Sequence, residues 1–361
     1  MDIIFFLGGL VLLVVGAELL VKGASRLALA LGLSPLVVGL TVVAFGTSAP
    51  EVAVSVGAVW GGQNDIAIGN VVGSNIFNVL FILGVSALVT PLAVNRQVIR
   101  QEVPIMIAVS ALLLVMLHGD RVIGTAEAAL LLVLLVGYTA FLVIQSRRAN
   151  GRAQDEVMPD GVAADASPGA GSRLAQVVLI VGGLACLVVG SRLLVTAAVS
   201  FAKALGVSDL VVGLTIVAAG TSLPEVATSI TAAVRGNRDI AVGNVVGSNV
   251  FNILGCLGLS GLAAGGAGIA VAPSILAFDA WVMLVTAIAC LPIFLTGREI
   301  ARWEGAVFVA YYVFYIGYLI LAAEQHDALD TYTRAMTVFV VPLTLLTAAV
   351  IYAGSRKLRR G

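Results

Sequence analysis

Charge is what this sequence has least of. Only 11% of its residues are Asp, Glu, Lys or Arg and 60% are hydrophobic, whereas a soluble domain carries about 25% charged and 45–50% apolar residues. Too little polar surface remains to cover a globule in water, so a soluble domain is excluded. Neither sign is in excess: 20 Lys and Arg face 20 Asp and Glu, which excludes a nucleic-acid binder and a charged disordered chain. Cysteine is scarce as well. Cys186, Cys256 and Cys290 stand far apart in apolar runs, so they give neither a disulfide framework nor a cysteine metal cluster. The histidines, His118 and His326, fall in loops. With no His or Lys in the middle of an apolar run, a serine nucleophile would lack a base, which argues against an intramembrane enzyme.

What the chain does have is long apolar runs. A membrane-crossing helix needs about 20 such residues. Runs of that kind lie near 3–22, 36–60, 66–90, 101–118, 123–145, 174–197, 208–234, 240–263, 272–296, 303–323 and 335–354. The first has neither a basic leader nor an A-x-A site and is expected to stay as a permanent span. Residues 146–172 hold both signs of charge, Pro159, Pro168 and many small residues, the composition of a flexible, solvated linker. Placing the N-terminus outside puts 16 of the 20 Lys and Arg in cytoplasmic segments and 4 outside, as the positive-inside rule requires. The expectation is an all-α integral membrane protein of about 11 transmembrane helices. It is multi-pass, with the 146–172 loop and the C-terminus in the cytoplasm.

The two halves of the chain repeat. Residues 39–78 and 213–252 align without a gap at an offset of 174, and 27 of the 40 positions are identical. The same offset aligns Gly8 with Gly182 and Gly16 with Gly190, so whole five-helix halves are duplicated. Five is odd, so the second half sits upside down relative to the first. Inverted repeats are an architecture of secondary transporters, which place the binding site at the midplane between the halves. The organisation expected is a first repeat over 1–145, the linker 146–172, a second inverted repeat over 173–323, and an extra span with a basic tail over 324–361.

The matched positions are polar, which packing alone would not select. Glu51 lies midway along its span and Glu225 at the equivalent point of the other half. A carboxylate at the bilayer centre costs at least about 2.5–3.5 kcal/mol, and no Lys, Arg or His lies in the central turns nearby. The missing positive charge must be a mobile ion or protons. Pro50 and Pro224 precede the two glutamates and remove the helical donors of the Gly46 and Gly220 carbonyls. A helix broken at membrane depth is tolerated where it lines a cavity. Thr47 and Glu51 are four apart and share a face, as do Thr221 and Glu225, Ser74 and Asn78, and Ser248 and Asn252. Ser48 and Ser222 add hydroxyls beside them. The set is all oxygen. Hard oxygen ligands in flexible geometry suit Ca²⁺, and a smaller set of carbonyls and hydroxyls suits Na⁺. Two inverted halves make no ring, which argues against a channel filter.

The segments G-T-S-x-P-E and G-N-x-x-G-S-N-x-F-N, each present twice, resemble the paired repeat motifs of the calcium/cation antiporter superfamily, above all the bacterial sodium/calcium exchangers. The resemblance covers about the first 320 residues. It implies exchange of Na⁺, or in some branches H⁺, for Ca²⁺ by alternating access across the inner membrane, in the direction that extrudes Ca²⁺. It implies that Glu51 and Glu225 bridge Ca²⁺ with help from Thr47 and Thr221. Ser48, Ser74, Ser222 and Ser248 would join the Na⁺ sites with backbone oxygen from Ala44 and Ala218, and Asn78 and Asn252 would line the middle site. The first and sixth spans would slide over a rigid core. Neither cofactor nor protein partner is implied, and a monomer is expected. Two features refine this. Many sodium-coupled members carry Asp where this chain has Asn252; in the potassium-dependent branch that Asp is linked to K⁺, so K⁺ dependence is not expected. Both copies read Gly-Thr-Ser-x-Pro-Glu and not the Gly-Asn-Ala-x-Glu of the proton-coupled branch, which favours Na⁺. H⁺/Ca²⁺ antiport stays as the alternative, because protons can also neutralise neighbouring carboxylates.

Other residues carry blander expectations. Asp65 and Asp239 are expected to cap the helices that follow them, and Gly69, Gly73, Gly243 and Gly247 to let helices approach closely. Glu18 and Arg192 are expected to snorkel, and Asp279 and Glu127 to face headgroups.

Overall fold

A computed structural model describes residues 2–31, 33–119, 121–156, 172–204, 218–273, 275–295, 297–323 and 328–336. In chain order the helices are α1 (Asp2–Leu31), α2 (Pro35–Thr47), α3 (Ala49–Trp60), α4 (Asn64–Val89), α5 (Val98–Leu117), α6 (Thr125–Glu156), α7 (Ser172–Ala204), α8 (Leu223–Val234), α9 (Arg238–Ala267), α10 (Ile275–Leu295), α11 (Arg302–Ala323) and α12 (Leu329–Ala335). Four two-residue strands lie between them: β1 (Leu92–Ala93), β2 (Val122–Ile123), β3 (Ile269–Ala270) and β4 (Glu299–Ile300).

Among the described residues, eight helices are long and apolar enough to cross a membrane, and α2 with α3 makes a ninth, bent by 43°. The seventh expected run, 208–234, is described only from Ala218, and its α8 is a shorter apolar helix. The eleventh, 335–354, lies outside the described residues beyond Met336. The expected total of about eleven is therefore not established. The linker differs from expectation at its start. Residues 146–156 continue α6 as helix, because they hold no proline and the first breaker is Pro159; residues 157–171 lie outside the described set.

The strands fix how the halves are related. β1 pairs with β4, Leu92 opposite Ile300, and β2 pairs with β3, Val122 opposite Ala270. Each ribbon joins one half of the chain to the other. β1 precedes α5 and β2 follows it, so the two ribbons lie at opposite ends of that helix. Exchanging the halves converts one ribbon into the other and swaps the two faces of the protein. The halves are therefore inverted, as the odd span number requires.

α4 and α9 form the buried centre, whereas α1, α6, α7 and α11 leave most of their length exposed. The large apolar side chains exposed there, such as Leu7, Val11, Val133, Val136, Val178 and Val313, are the lipid-facing surface. Helices α1 and α7 cross backbone to backbone. A Cβ on Gly16 would lie 2.8 Å from the Gly183 carbonyl, and one on Gly9 would lie 2.8 Å from that of Gly190. Glycine is required at this crossing because any side chain would force the backbones apart. The Ser200 hydroxyl donates to Asp2 at 2.6 Å and ties the same pair near one end.

Two smaller expectations are corrected, and a third agrees with the packing at Gly243 and Gly247. α4 and α9 start ahead of Asp65 and Asp239, with Gln63 and Asn237 at the cap positions and no side-chain cap bond at either. The aspartates sit in the first turn, where they complement the positive end of the helix dipole. Glu18 accepts from the Arg235 guanidinium, so it does more than snorkel. Gly243 and Gly247 do pack closely, against Leu36, Leu40 and Ala44 of α2. Most of the partners that symmetry would give Gly69 and Gly73 fall before Ala218, outside the described residues.

Candidate cation site

The break between α2 and α3 follows from local sequence. Pro50 cannot donate to the Gly46 carbonyl, and Ser48 at the break has ψ 9°, off the helical basin. Ser222 has ψ 9° ahead of Pro224 in the same way. Both breaks turn the residues that follow them, Glu51 and Glu225, to the middle of the protein, where they are 0% and 1% exposed.

Each glutamate is held by the serine of the opposite half. The Ser222 hydroxyl donates to Glu51 Oε1 at 2.8 Å, and the Ser48 hydroxyl donates to Glu225 Oε1 at 2.8 Å. Ser222 also lies 3.2 Å from the Ser74 hydroxyl. Since Ser48 is one turn before Glu51 and Ser222 one turn before Glu225, these crossed bonds bring both carboxylates to the pseudo-twofold axis. The threonines cross too: the Thr47 hydroxyl lies 3.1 Å from Asn244 Oδ1 and the Thr221 hydroxyl 3.3 Å from Asn70 Oδ1.

Four buried oxygens of this cluster have no hydrogen-bond partner: Glu51 Oε2, Glu225 Oε2, Asn78 Oδ1 and the Ser248 hydroxyl. An unpartnered buried acceptor costs about 1–3 kcal/mol, and more if it is charged. Among the described residues the ion pair formed is Glu18 with Arg235, both about half exposed, and nothing basic reaches the two glutamates. Nor do three His, Cys, Asp or Glu side chains gather anywhere in the described set. The site has two carboxylates and otherwise neutral oxygens, which matches a hard cation that comes and goes better than a resident metal centre.

Seven of the twelve expected site residues are joined by these bonds, and Asn78, Ser248 and Asn252 lie buried on α4 and α9. The two backbone oxygens differ from these. The Ala44 carbonyl already accepts from Ser48 N at 3.1 Å and lies 3.4 Å from the Thr47 hydroxyl. Ala218 begins the short turn Ala218–Gly220, at the start of a described segment.

Three sets of residues escaped the sequence reading. Asn70 and Asn244 donate to the Glu51 and Glu225 carbonyls at 3.2 and 3.5 Å while accepting from the opposite threonines. Their place in the repeated Gly-Asn pair was the available signal. Glu102 and Asp279 each end a π-helical opening turn and accept from Tyr138 and Tyr315, at 2.8 and 2.9 Å. Glu102 is 0% exposed and also accepts from Gln97 and Gln101, and Asp279, expected to face headgroups, is half-buried. These pairs are related by an offset of 177, not 174; the halves change register near the 3₁₀ turn Gly265–Ala267, which hid the match.

The third is Ser191. Its hydroxyl donates at 2.6 Å to the Gly220 carbonyl, the one that Pro224 leaves without a helical donor. The equivalent residue in the first half is Ala17, which has no hydroxyl. Ser191→Ala is expected to destabilise the protein by about 1–3 kcal/mol, the cost of a buried carbonyl left unpaired. A lower melting temperature in detergent checks this; an unchanged one would show that the carbonyl has another donor.

The sequence profile of the family described as "Sodium/calcium exchanger protein" matches residues 1–144 and 175–321. The chain is 41% identical over 315 residues to the putative antiporter CaxA of Alkalimonas amylolytica, covering 86% of this chain and 96% of that protein. It is 36% identical to the sodium/calcium exchanger MaX1 of Methanosarcina acetivorans, covering 85% and 95%. The solved structure of the sodium-calcium exchanger NCX_Mj, soaked with Na⁺ and Ca²⁺, superposes with a TM-score of 0.72 at 31% identity, over 88% of this chain and 97% of that one. This chain is accordingly a member of the sodium/calcium exchanger family, a multi-pass membrane transporter and not an enzyme.

Proposed function

We propose that the protein is a Na⁺/Ca²⁺ antiporter of the cytoplasmic membrane that extrudes Ca²⁺ by alternating access, with its N-terminus outside. The observation that carries this reading is the pair of unpartnered carboxylate oxygens, Glu51 Oε2 and Glu225 Oε2, buried on the axis between inverted halves. One Ca²⁺ balances both charges, and so do two Na⁺. Thr47, Thr221, Ser48, Ser222, Ser74, Ser248, Asn78 and Asn252 supply the neutral oxygens, with Ala44 and Ala218 as backbone contributors. K⁺ has no role in this reading, since Asn252 brings no third carboxylate.

Coupling then follows from electrostatics. An empty site would carry two bare carboxylates through the occluded state, at about 2.5–3.5 kcal/mol each. The sum, about 5–7 kcal/mol, slows unloaded reorientation by about 10⁴–10⁵-fold. Only the loaded carrier crosses, and loading by one ion species excludes the other. The glycine-packed α1–α7 pair, which crosses as a unit, is the element that moves over the core in this reading.

The test is ⁴⁵Ca²⁺ uptake into proteoliposomes loaded with Na⁺, at equal pH on both sides, with and without K⁺. Uptake driven by outward Na⁺ and indifferent to K⁺ is expected. Uptake that needs a pH gradient instead would move the protein to H⁺/Ca²⁺ exchange at the same site. No uptake under either gradient would defeat the Ca²⁺ reading.

A further inference from the structure

The polarity of the amides at the axis is set from the backbone outward. Asn75 Nδ2 donates to the Asn249 carbonyl at 3.1 Å, and Asn249 Nδ2 donates to the Asn75 carbonyl at 3.4 Å. A carbonyl only accepts, so each side chain must turn its nitrogen to the opposite backbone and its Oδ1 the other way. Met283 and Met106 sulfurs, weak acceptors at 3.6 and 3.4 Å from the same nitrogens, reinforce this orientation. The two Oδ1 atoms then dictate the next pair. Asn252 Nδ2 donates to Asn75 Oδ1 at 3.1 Å, and Asn78 Nδ2 donates to Asn249 Oδ1 at 2.9 Å. With their nitrogens committed to the axis, Asn78 and Asn252 must present oxygen on the other side. Asn78 Oδ1 has no partner, and Asn252 Oδ1 receives only the weak thiol donor of Cys256 at 3.6 Å. All four asparagines are at most 2% exposed, so water cannot compensate a flipped amide.

We propose that Asn75 and Asn249 are positioning residues that set the specificity of the site. They hold Asn78 and Asn252 oxygen-first to the cation, and they require a hydrogen-bond donor at positions 78 and 252. The inference rests on the Ca²⁺ reading of the site. Its consequence is that the site stays at two carboxylates. An Asp at 252 would set an oxygen against Asn75 Oδ1; it would either hold a proton there or be repelled. In neither case does it give the cation a useful third charge.

The test is a double-substitution cycle read as apparent KM for Ca²⁺ and maximal rate in Na⁺-driven ⁴⁵Ca²⁺ uptake. Asn75→Ala frees the Asn252 amide to rotate, and the KM is expected to rise about tenfold with a smaller change in maximal rate. Asn252→Asp alone is expected to raise the KM severalfold although it brings a carboxyl group to a cation site. In the Asn75→Ala background the same Asn252→Asp change is expected to lower the KM, since a carboxylate offers oxygen on both sides and needs no orienting. A merely structural role for Asn75 would not reverse that sign. The proposal is overturned if Asn252→Asp lowers the KM with Asn75 in place, or acts equally in both backgrounds. Should Asn75→Ala fail to fold, the single Asn252→Asp protein still decides, because it retains Asn75. A wild-type protein without Ca²⁺ uptake would remove the reading beneath the proposal, and it would show before any substitution was made.

Discussion

Glu51→Gln is expected to abolish exchange. Gln matches Glu in shape, and its Oε1 can still accept from the Ser222 hydroxyl that lies 2.8 Å from the Glu51 oxygen. What changes is the other oxygen. Glu51 Oε2, buried and unpartnered, becomes an NH₂ that points hydrogens where a cation would sit. One of the two charges that balance Ca²⁺ is also lost. Unit charges 4 Å apart at an effective dielectric of 20 attract by about 4 kcal/mol, so a divalent ion loses at least about 10³-fold in affinity. Glu225→Gln should do the same through the Ser48 bond. Neither change should unfold the protein, because a buried charge without a counter-ion stabilises nothing. The measurement is Na⁺-driven ⁴⁵Ca²⁺ uptake beside a melting curve in detergent. Wild-type uptake in either variant would sink the site assignment; lost uptake with an intact melting transition supports it.

Much of this site is legible in the sequence for a specific physical reason. A buried charge, a helix-breaking proline and a four-residue spacing are local signals, and duplication prints each one twice. Glu51 with Thr47, Pro50 and Ser48 could therefore be read from one helix, and Glu225 confirmed the reading at an offset of 174. Contacts between halves leave no such trace. That Ser222 serves Glu51 and Ser48 serves Glu225, or that Asn75 and Asn249 interlock, depends on two helices meeting across 171 to 177 residues of chain. Helix periodicity carries no information about that meeting. Glu102 went unread for a different reason. A carboxylate near the end of an apolar run is ordinarily interfacial, but here Gln97, Gln101 and Tyr138 satisfy it inside the protein. Only the tertiary partner distinguishes the two cases. The caps failed for a smaller reason: Asp65 and Asp239 are strong cap formers, yet the helices begin at Asn64 and Arg238, two residues before the starts those caps would give.

Gly247→Ala is expected to damage transport far more than one methyl group suggests. A Cβ at that position would lie 2.5 Å from the Leu40 carbonyl oxygen, 2.7 Å from Leu40 Cα and 2.9 Å from Ala44 Cβ. These are mostly backbone atoms, which cannot swing aside as a side-chain tip can. Relief requires α2 and α9 to separate by several tenths of an ångström or more. Leu40 and Ala44 lie one to two turns before Thr47 and Ser48, so the movement is passed to the hydroxyls that meet Asn244 and Glu225. Overpacking of this kind costs about 1–3 kcal/mol of stability, and a displacement of about 1 Å at a site can cost about 10²-fold in rate. Gly57→Ala is the matched comparison. It sits in the exposed part of α3 with no described atom within 4 Å of an added Cβ. There alanine should be neutral or stabilise by up to about 1 kcal/mol through its better helix propensity, with uptake unchanged. Melting curves and ⁴⁵Ca²⁺ uptake on the two variants separate the effects. If Gly247→Ala transports as well as Gly57→Ala, close contact between α2 and α9 does not set the geometry of the site, and the repeated G-x-x-x-G would then have to be explained by something other than packing.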